Sequence, residues 1–299
     1  HRAEVETVVG PANAASRNQH RIPGGAAAEG DSPSPRQLYE EAQELRRAGR
    51  HSEAMVAMDA AVELLQAGIG RWEWYTDAYF TRATWRAEAK DPEGAIDDYS
   101  RLLEVEPHRY EALYNRALTY DIHLQQPWQA VSGFTQILED PELDVSHHIN
   151  PKDKLLATTY EARGHAYESL KNPSKAAEDF SRALSFDPEG NGGVIYFHRA
   201  HAFKKSSRPD LALGDSYHLA KRALDWATAK EAAYDGEDRA LSCARWASEV
   251  FDHKVPYLLE ALAATEARAN KFSEANRTQS KALDLLAPQD RRRPNAQHR

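Results

Sequence analysis

The sequence predicts an all-α protein built from repeated helical hairpins, and three observations predict it. Apolar residues recur at helical spacing through most of residues 35–287. An A-x3-aromatic pair returns along the chain as Ala95/Tyr99, Ala130/Phe134 and Ala176/Phe180. A proline then closes each stretch, at Pro107, Pro141 and Pro188, where a residue without an amide donor stops a helix. One such hairpin cannot bury its own apolar face, so copies must stack.

Residues 1–33 are rich in Ala, Gly, Pro, Ser and Asn, and IPGGAAAEGDSPSP reads as a flexible tail or linker. Ser34 is placed to cap the first helix, with Pro35 in its first turn. Residues 34–287 then read as six to seven helix pairs, at about 35–66, 76–107, 110–141, 157–188, 193–224, a degenerate 235–252, and 256–287. The first pair keeps Ala42, Leu45, Gly49, Ala54, Met58 and Ala61 in register. The second has Tyr79, Arg82 and Ala83 ahead of Ala95, Tyr99 and Leu103. In the third, Tyr114, Ala117 and Tyr120 precede Ala130 and Phe134, with one extra residue in the inter-helix turn. The fourth is the clearest, with Tyr160, Arg163, Gly164, Tyr167, Ala176, Phe180 and Ala183. The fifth has Tyr196, Arg199, Ala200, Phe203 and Ala212, but Ser216 replaces its second-helix aromatic. DGEDRALSCARWASEV is long and amphipathic enough for a helix entered at Asp235-Gly236, half of a degenerate hairpin. The last pair carries Ala263, Phe272, Ala275, Ala282 and Leu283, and residues 288–299 form a basic tail.

The anchor alanines 54, 95, 130, 176, 212 and 275 lie 41, 35, 46, 36 and 63 residues apart. A bare repeat needs about 34. The excess falls near Ala67–Glu73, in DPELDVSHHINPKD (a loop by composition) and between Leu224 and Val255. Small residues such as Ala83, Gly164 and Ala200 let paired helices approach, and Tyr99, Phe134 and Phe180 fill the space between hairpins.

The segment Tyr160–Pro188, YEARGHAYESLKNPSKAAEDFSRALSFDP, resembles the tetratricopeptide repeat. The DG-led helix followed by PYLLEALAATEARANKFSEA looks like the closing part of some bacterial arrays of that family. The resemblance implies a right-handed α-solenoid whose concave face binds a protein or peptide without catalysis. It also implies which first-helix residues line that face: Tyr39 and Gln43, Phe80 and Thr84, Tyr114 and Leu118, Glu161 and His165, Phe197 and His201, with Asn115 and His198 beside them. Some members clamp a carboxylate terminus with lysines and asparagines. Asn115 matches one such position, but Phe80, Thr158 and Ala162 stand where basic residues are expected, so that clamp is not expected here.

Arginine recurs in one phase at Arg82, Arg116, Arg163 and Arg199. Aspartate recurs sixteen residues later at Asp98, Asp179 and Asp215, which predicts repeated ion pairs rather than a ladder that reads an acidic peptide. Arg116 lacks that aspartate and stays a candidate for the partner-binding face.

Composition bounds the rest. The formal net charge is −8, with −1 in the first 33 residues and +3 in residues 288–299, so residues 34–287 carry −10. Such a surface suits basic or neutral partners and argues against nucleic acid. No apolar run reaches the roughly 18–20 residues of a membrane span. The single cysteine, Cys243, reads as a packed helix residue. His198 with His201, and His147 with His148, have metal-like spacing but no supporting motif, so no metal or other cofactor is expected. No Walker loop, G-x-G-x-x-G or G-x-S-x-G occurs, so no catalytic residue is assigned. A chain starting at His1 leaves two compartments open, the cytoplasm or export after loss of a signal peptide. It also leaves an alternative function, a regulatory or targeting module of a longer protein. Self-association through the ends of the stack is a further partner class.

Overall fold

A computed structural model describes residues 33–67, 75–140, 152–188, 193–228 and 236–286. These contain thirteen α-helices and no strand. The chain divides into two compact units, residues 1–146 and 147–299. The two tails, most of the Ala67–Glu73 and DPELDVSHHINPKD insertions, and with them His147 and His148, lie outside the described residues. Among the described residues, no helix is long and apolar enough to cross a membrane.

The first unit holds three hairpins. Helices α1 (Pro35–Arg47) and α2 (His51–Gln66) form the first, and α3 (Tyr75–Glu88) and α4 (Pro92–Val105) the second. Helix α5 (Tyr110–Leu118) pairs with α6 (Pro127–Glu139). Helix α1 starts on a capping box. Ser34 Oγ accepts from the Gln37 amide at 3.3 Å, and the Gln37 side chain accepts from the Ser34 amide at 2.8 Å. The extra residue of the third hairpin sits elsewhere than the sequence suggests. It is stored at the end of the first helix as a π turn, Thr119–His123, with Leu124 N donating to Thr119 O at 3.2 Å.

The second unit holds α7 (Lys152–Ser169) with α8 (Pro173–Phe186), and α9 (Val194–Lys205) with α10 (Pro209–Thr228). Helix α11 (Gly236–Glu249) packs against α10 and α12 (Pro256–Arg268), and α12 pairs with α13 (Phe272–Leu285). Cys243 of α11 is fully buried among Leu219, Ala220, Leu241 and Leu258, and burial pushes its thiol up to about 11. It is an inert packing residue.

Hairpin turns in both units share one design. The second residue after the first helix takes a left-handed conformation, at Gly49, Lys90, Gln125, Lys171, Ser207 and Asn270. In five of these turns the next amide reaches back five residues, as Arg50 N to Leu45 O and Asn172 N to Tyr167 O, both 2.9 Å. Proline then opens the second helix at Pro92, Pro127, Pro173 and Pro209, where its fixed φ suits the first turn. Asp91 and Asn172 cap two of these starts, accepting from Gly94 N at 3.1 Å and Lys175 N at 3.3 Å. At Gly49 an added Cβ would meet nothing within 4 Å, so only the φ of 77° opposes substitution. Gly49→Ala is therefore expected to cost about 1–2 kcal/mol, the left-handed penalty for an L residue, read as a drop in the urea midpoint.

Candidate functional site

The recurrent arginines come first, because they fix the helices that carry the site. Arg82, Arg163 and Arg199 hold one position of α3, α7 and α9. Arg82 donates through Nε and Nη2 to Asp98 at 2.8 and 2.6 Å. Arg163 donates the same way to Asp179 at 2.8 and 2.9 Å, and Arg199 to Asp215 at 2.9 and 2.7 Å. This two-pronged geometry is specific to guanidinium, and lysine could not reproduce it. Each guanidinium also lies over the tyrosine three residues before it, at 5.7 Å for Tyr79, 5.5 Å for Tyr160 and 5.3 Å for Tyr196.

The remaining prong points to the preceding hairpin. Nη1 reaches Asp59 from Arg82 at 3.0 Å, Ser100 from Arg116 at 3.2 Å and Ser181 from Arg199 at 3.3 Å. Asp59, Ser100 and Ser181 each follow the large second-helix residue, Met58, Tyr99 or Phe180. The arginine thus ties its own hairpin together and fastens it to the one before. Arg116 keeps only this second tie. Gly133 stands near the position of the missing aspartate, where an added Cβ would come within 2.9 Å of Ala117 Cβ. Arg116 is half-buried, has no carboxylate partner among the described residues, and burial lowers its pKa.

The other candidate residues separate by burial. In the first unit Tyr39, Gln43 and Phe80 are half-buried. The Tyr39 hydroxyl shares a hydrogen bond with Thr81 Oγ1 at 3.4 Å, linking α1 to α3. Phe80 has Arg109 over its ring at 5.2 Å, and Asp77 holds Arg109 at 2.8 Å. Thr84, Tyr114, Asn115 and Leu118 are buried. Thr84 Oγ1 is satisfied by Phe80 O at 2.9 Å, and Tyr114 packs on Phe134 with ring centroids 5.5 Å apart. These four line the interior of the first unit rather than its surface.

In the second unit Glu161, His165, Phe197, His198 and His201 are all half-buried. Phe197 stacks on Trp246 of α11 at 5.6 Å and meets the His201 ring edge-on at 4.6 Å. His165 of α7 sits edge-on to His198 of α9 at 4.4 Å and to Phe180 at 5.1 Å. Glu168 lies between the two histidines. Its Oε2 is 3.1 Å from His165 Nδ1 and 3.7 Å from His198 Nδ1.

Electrostatics follow from this crowding. Burial, reinforced by His165, pulls His198 down to about 3, so its imidazole is neutral. Burial and Lys205 also lower His201. Burial raises Glu161. Burial alone would raise Glu168 too, but the hydrogen bond from His165 and the nearby His165, His198 and Lys205 hold it below the usual carboxylate value. Glu168 and Trp246 were not among the candidates read from the sequence. Glu168 stands three residues after His165 on the same helix face, a spacing that signals the pair.

Residues 157–189 match the sequence model of the tetratricopeptide repeat. That segment carries a tetratricopeptide repeat. Solved structures extend the likeness beyond that segment. A tetratricopeptide repeat protein from Parabacteroides merdae is 14% identical with a TM-score of 0.52, over 86% of this chain and 94% of its own. A double mutant of MamA RS-1 is 15% identical with a TM-score of 0.52, over 68% of this chain and 100% of its own. MamA from Desulfovibrio magneticus RS-1, residue 41 to its end, is 15% identical with a TM-score of 0.50, over 65% and 96%. At such identity the likeness is one of fold. No curated protein sequence matches the array. Tetratricopeptide arrays serve in general as protein-interaction scaffolds and not as catalysts.

Proposed function

We propose that this array is a non-catalytic scaffold that holds a neutral or basic segment of a protein partner against the first-helix faces. One observation carries the reading. Side chains at one phase of α1, α3, α7 and α9 are neither sealed in the core nor paired away in full. Gln43, Phe80, Glu161, Phe197 and His201 are half-buried, and the aromatic ones are not required by the repeat pattern. Partly exposed aromatics set among polar groups are suited to anchor a peptide. The acidity of residues 34–287 favours a basic segment, so capture should weaken as salt screens the attraction.

The test uses the full chain as bait, with Gln43→Ala/Phe80→Ala in the first unit and Glu161→Ala/Phe197→Ala in the second. Loss of an anchor is worth about 2 kcal/mol or more, so at least one double variant should retain less than about a tenth of each captured protein. Wild-type capture by both double variants overturns the reading. Arg116→Ala supplies a companion test. It removes a half-buried charge with no carboxylate partner among the described residues, so stability should stay within about 0.5 kcal/mol of wild type. A loss of capture in that variant assigns Arg116 to the binding face.

A further inference from the structure

We propose that His165, Glu168 and His198 form a binding site for one zinc-class divalent ion. The inference does not depend on which partner the array holds. Two first helices of the second unit supply the ligands. His165 and Glu168 stand one turn apart on α7, and His198 faces them from α9. One ligating atom from each residue lies within 4.8 Å of the others. The two nitrogen-to-oxygen separations already measured, 3.1 and 3.7 Å, bracket the spacing a tetrahedral ion needs. With bonds of about 2.1 Å, neighbouring ligand atoms around zinc lie roughly 3.4 Å apart. Small rotations of three side chains would therefore suffice.

The donor chemistry selects the ion. Two imidazole nitrogens and one carboxylate oxygen suit zinc, cobalt, nickel or copper, whereas calcium and magnesium require mostly oxygen ligands. The surroundings help as well. The three side chains are 17, 20 and 13% exposed, open enough for an ion to enter yet largely out of water. Fully buried Phe180 forms an apolar floor against His165 and His198, which holds both rings in place. Without an ion the cluster is poorly satisfied. His165 Nε2 is buried with no hydrogen-bond partner among the described residues, and two imidazoles compete for one carboxylate oxygen. Three protein ligands leave a fourth position for water or for a group brought by a partner.

The experiment titrates the untagged full chain, stripped with chelator, first with Co2+ and then with Zn2+. One equivalent of Co2+ should develop the intense visible bands of a four-coordinate ion, and one equivalent of Zn2+ should abolish them. His198→Phe keeps a ring beside Phe180 and Phe197 and so preserves the packing. It should weaken binding by more than the about 10–100-fold that loss of a supporting hydrogen bond costs. Glu168→Gln should weaken it too, with far-UV dichroism unchanged in both. The spectrum of hexaaqua Co2+ throughout the titration, or four-coordinate bands that survive in His165→Leu/His198→Phe, overturns the site. Partner capture is scored separately, so failure of one reading does not decide the other.

Discussion

Asp98→Ala is expected to destabilise the first unit by about 3–5 kcal/mol, the loss seen when one member of a buried ion pair is removed. Asp98 is fully buried and accepts three bonds, two from Arg82 and one from Arg86 Nη1 at 3.0 Å. Both arginines also reach Asp59 of α2, at 3.0 and 3.2 Å, so the carboxylate sits in a network that spans α2, α3 and α4. Removing it leaves the Arg82 guanidinium, 7% exposed, with only the edge of the network to hold it. Urea unfolding should show the loss, and hydrogen exchange should place it in α2–α4. Arg82→Met/Asp98→Leu should recover at least half of it, because an apolar pair of similar volume leaves no stranded charge. A cost below about 1 kcal/mol for Asp98→Ala would show that the network is not what holds the hairpins. The equivalent changes at Asp179 and Asp215 should fall toward the lower end of the range. Each of those aspartates binds one arginine through its carboxylate, and Arg163 and Arg199 are more exposed, at 15 and 19%.

The ion pairs were legible in the sequence because both partners recur in phase, sixteen residues apart, within one hairpin. The helix pairs were legible for the same reason, since a hairpin is a local object. Where the sequence fell short, the deciding contact came from another helix. Thr84, Tyr114 and Leu118 share their phase with Phe80, Glu161 and His165. Yet Phe134 covers Tyr114, and nothing in the phase of α5 announces that. The extra residue of the third hairpin could be counted but not located. A helix can absorb it in its last turn as readily as a loop can, and Thr119–His123 does so. The histidines make the same point. His198 and His201 stand out as a pair on α9, but the carboxylate that completes a ligand set with His198 is Glu168 of α7, thirty residues earlier. Only the packing of α9 against α7 and α8 brings them together. Prolines at 92, 127, 173 and 209 mark four of the inter-helix turns as clearly as Pro107 and Pro188 mark the helix ends, a local signal the sequence reading did not use.

Phe180→Ala is expected to cost the second unit about 3–5 kcal/mol, and Gly164→Ala about 1–3 kcal/mol, by opposite faults in one contact. Phe180 is fully buried, so truncation leaves a cavity between α7, α8 and α9. A Cβ added at Gly164 would come within 2.7 Å of Phe180 Cε1 and 3.0 Å of Cδ1. The ring has no free side to move toward, because His165 and His198 pack on it at 5.1 and 5.9 Å. The two changes should therefore couple with a reversal of sign. In the Phe180→Ala background the clash is gone, and an alanine helps to fill the cavity. It also removes the glycine penalty within α7, so Gly164→Ala should there stabilise by about 0.5–1 kcal/mol. Urea denaturation of the four proteins in this cycle measures the coupling. Additive effects would mean that the helix backbones yield and that the ring does not set their approach. Phe180 also floors the histidine cluster, so its truncation should loosen both His165 and His198. Co2+ affinity should then fall in Phe180→Ala although every ligand is retained, which separates a site held by its packing from one that forms wherever two histidines and a glutamate meet.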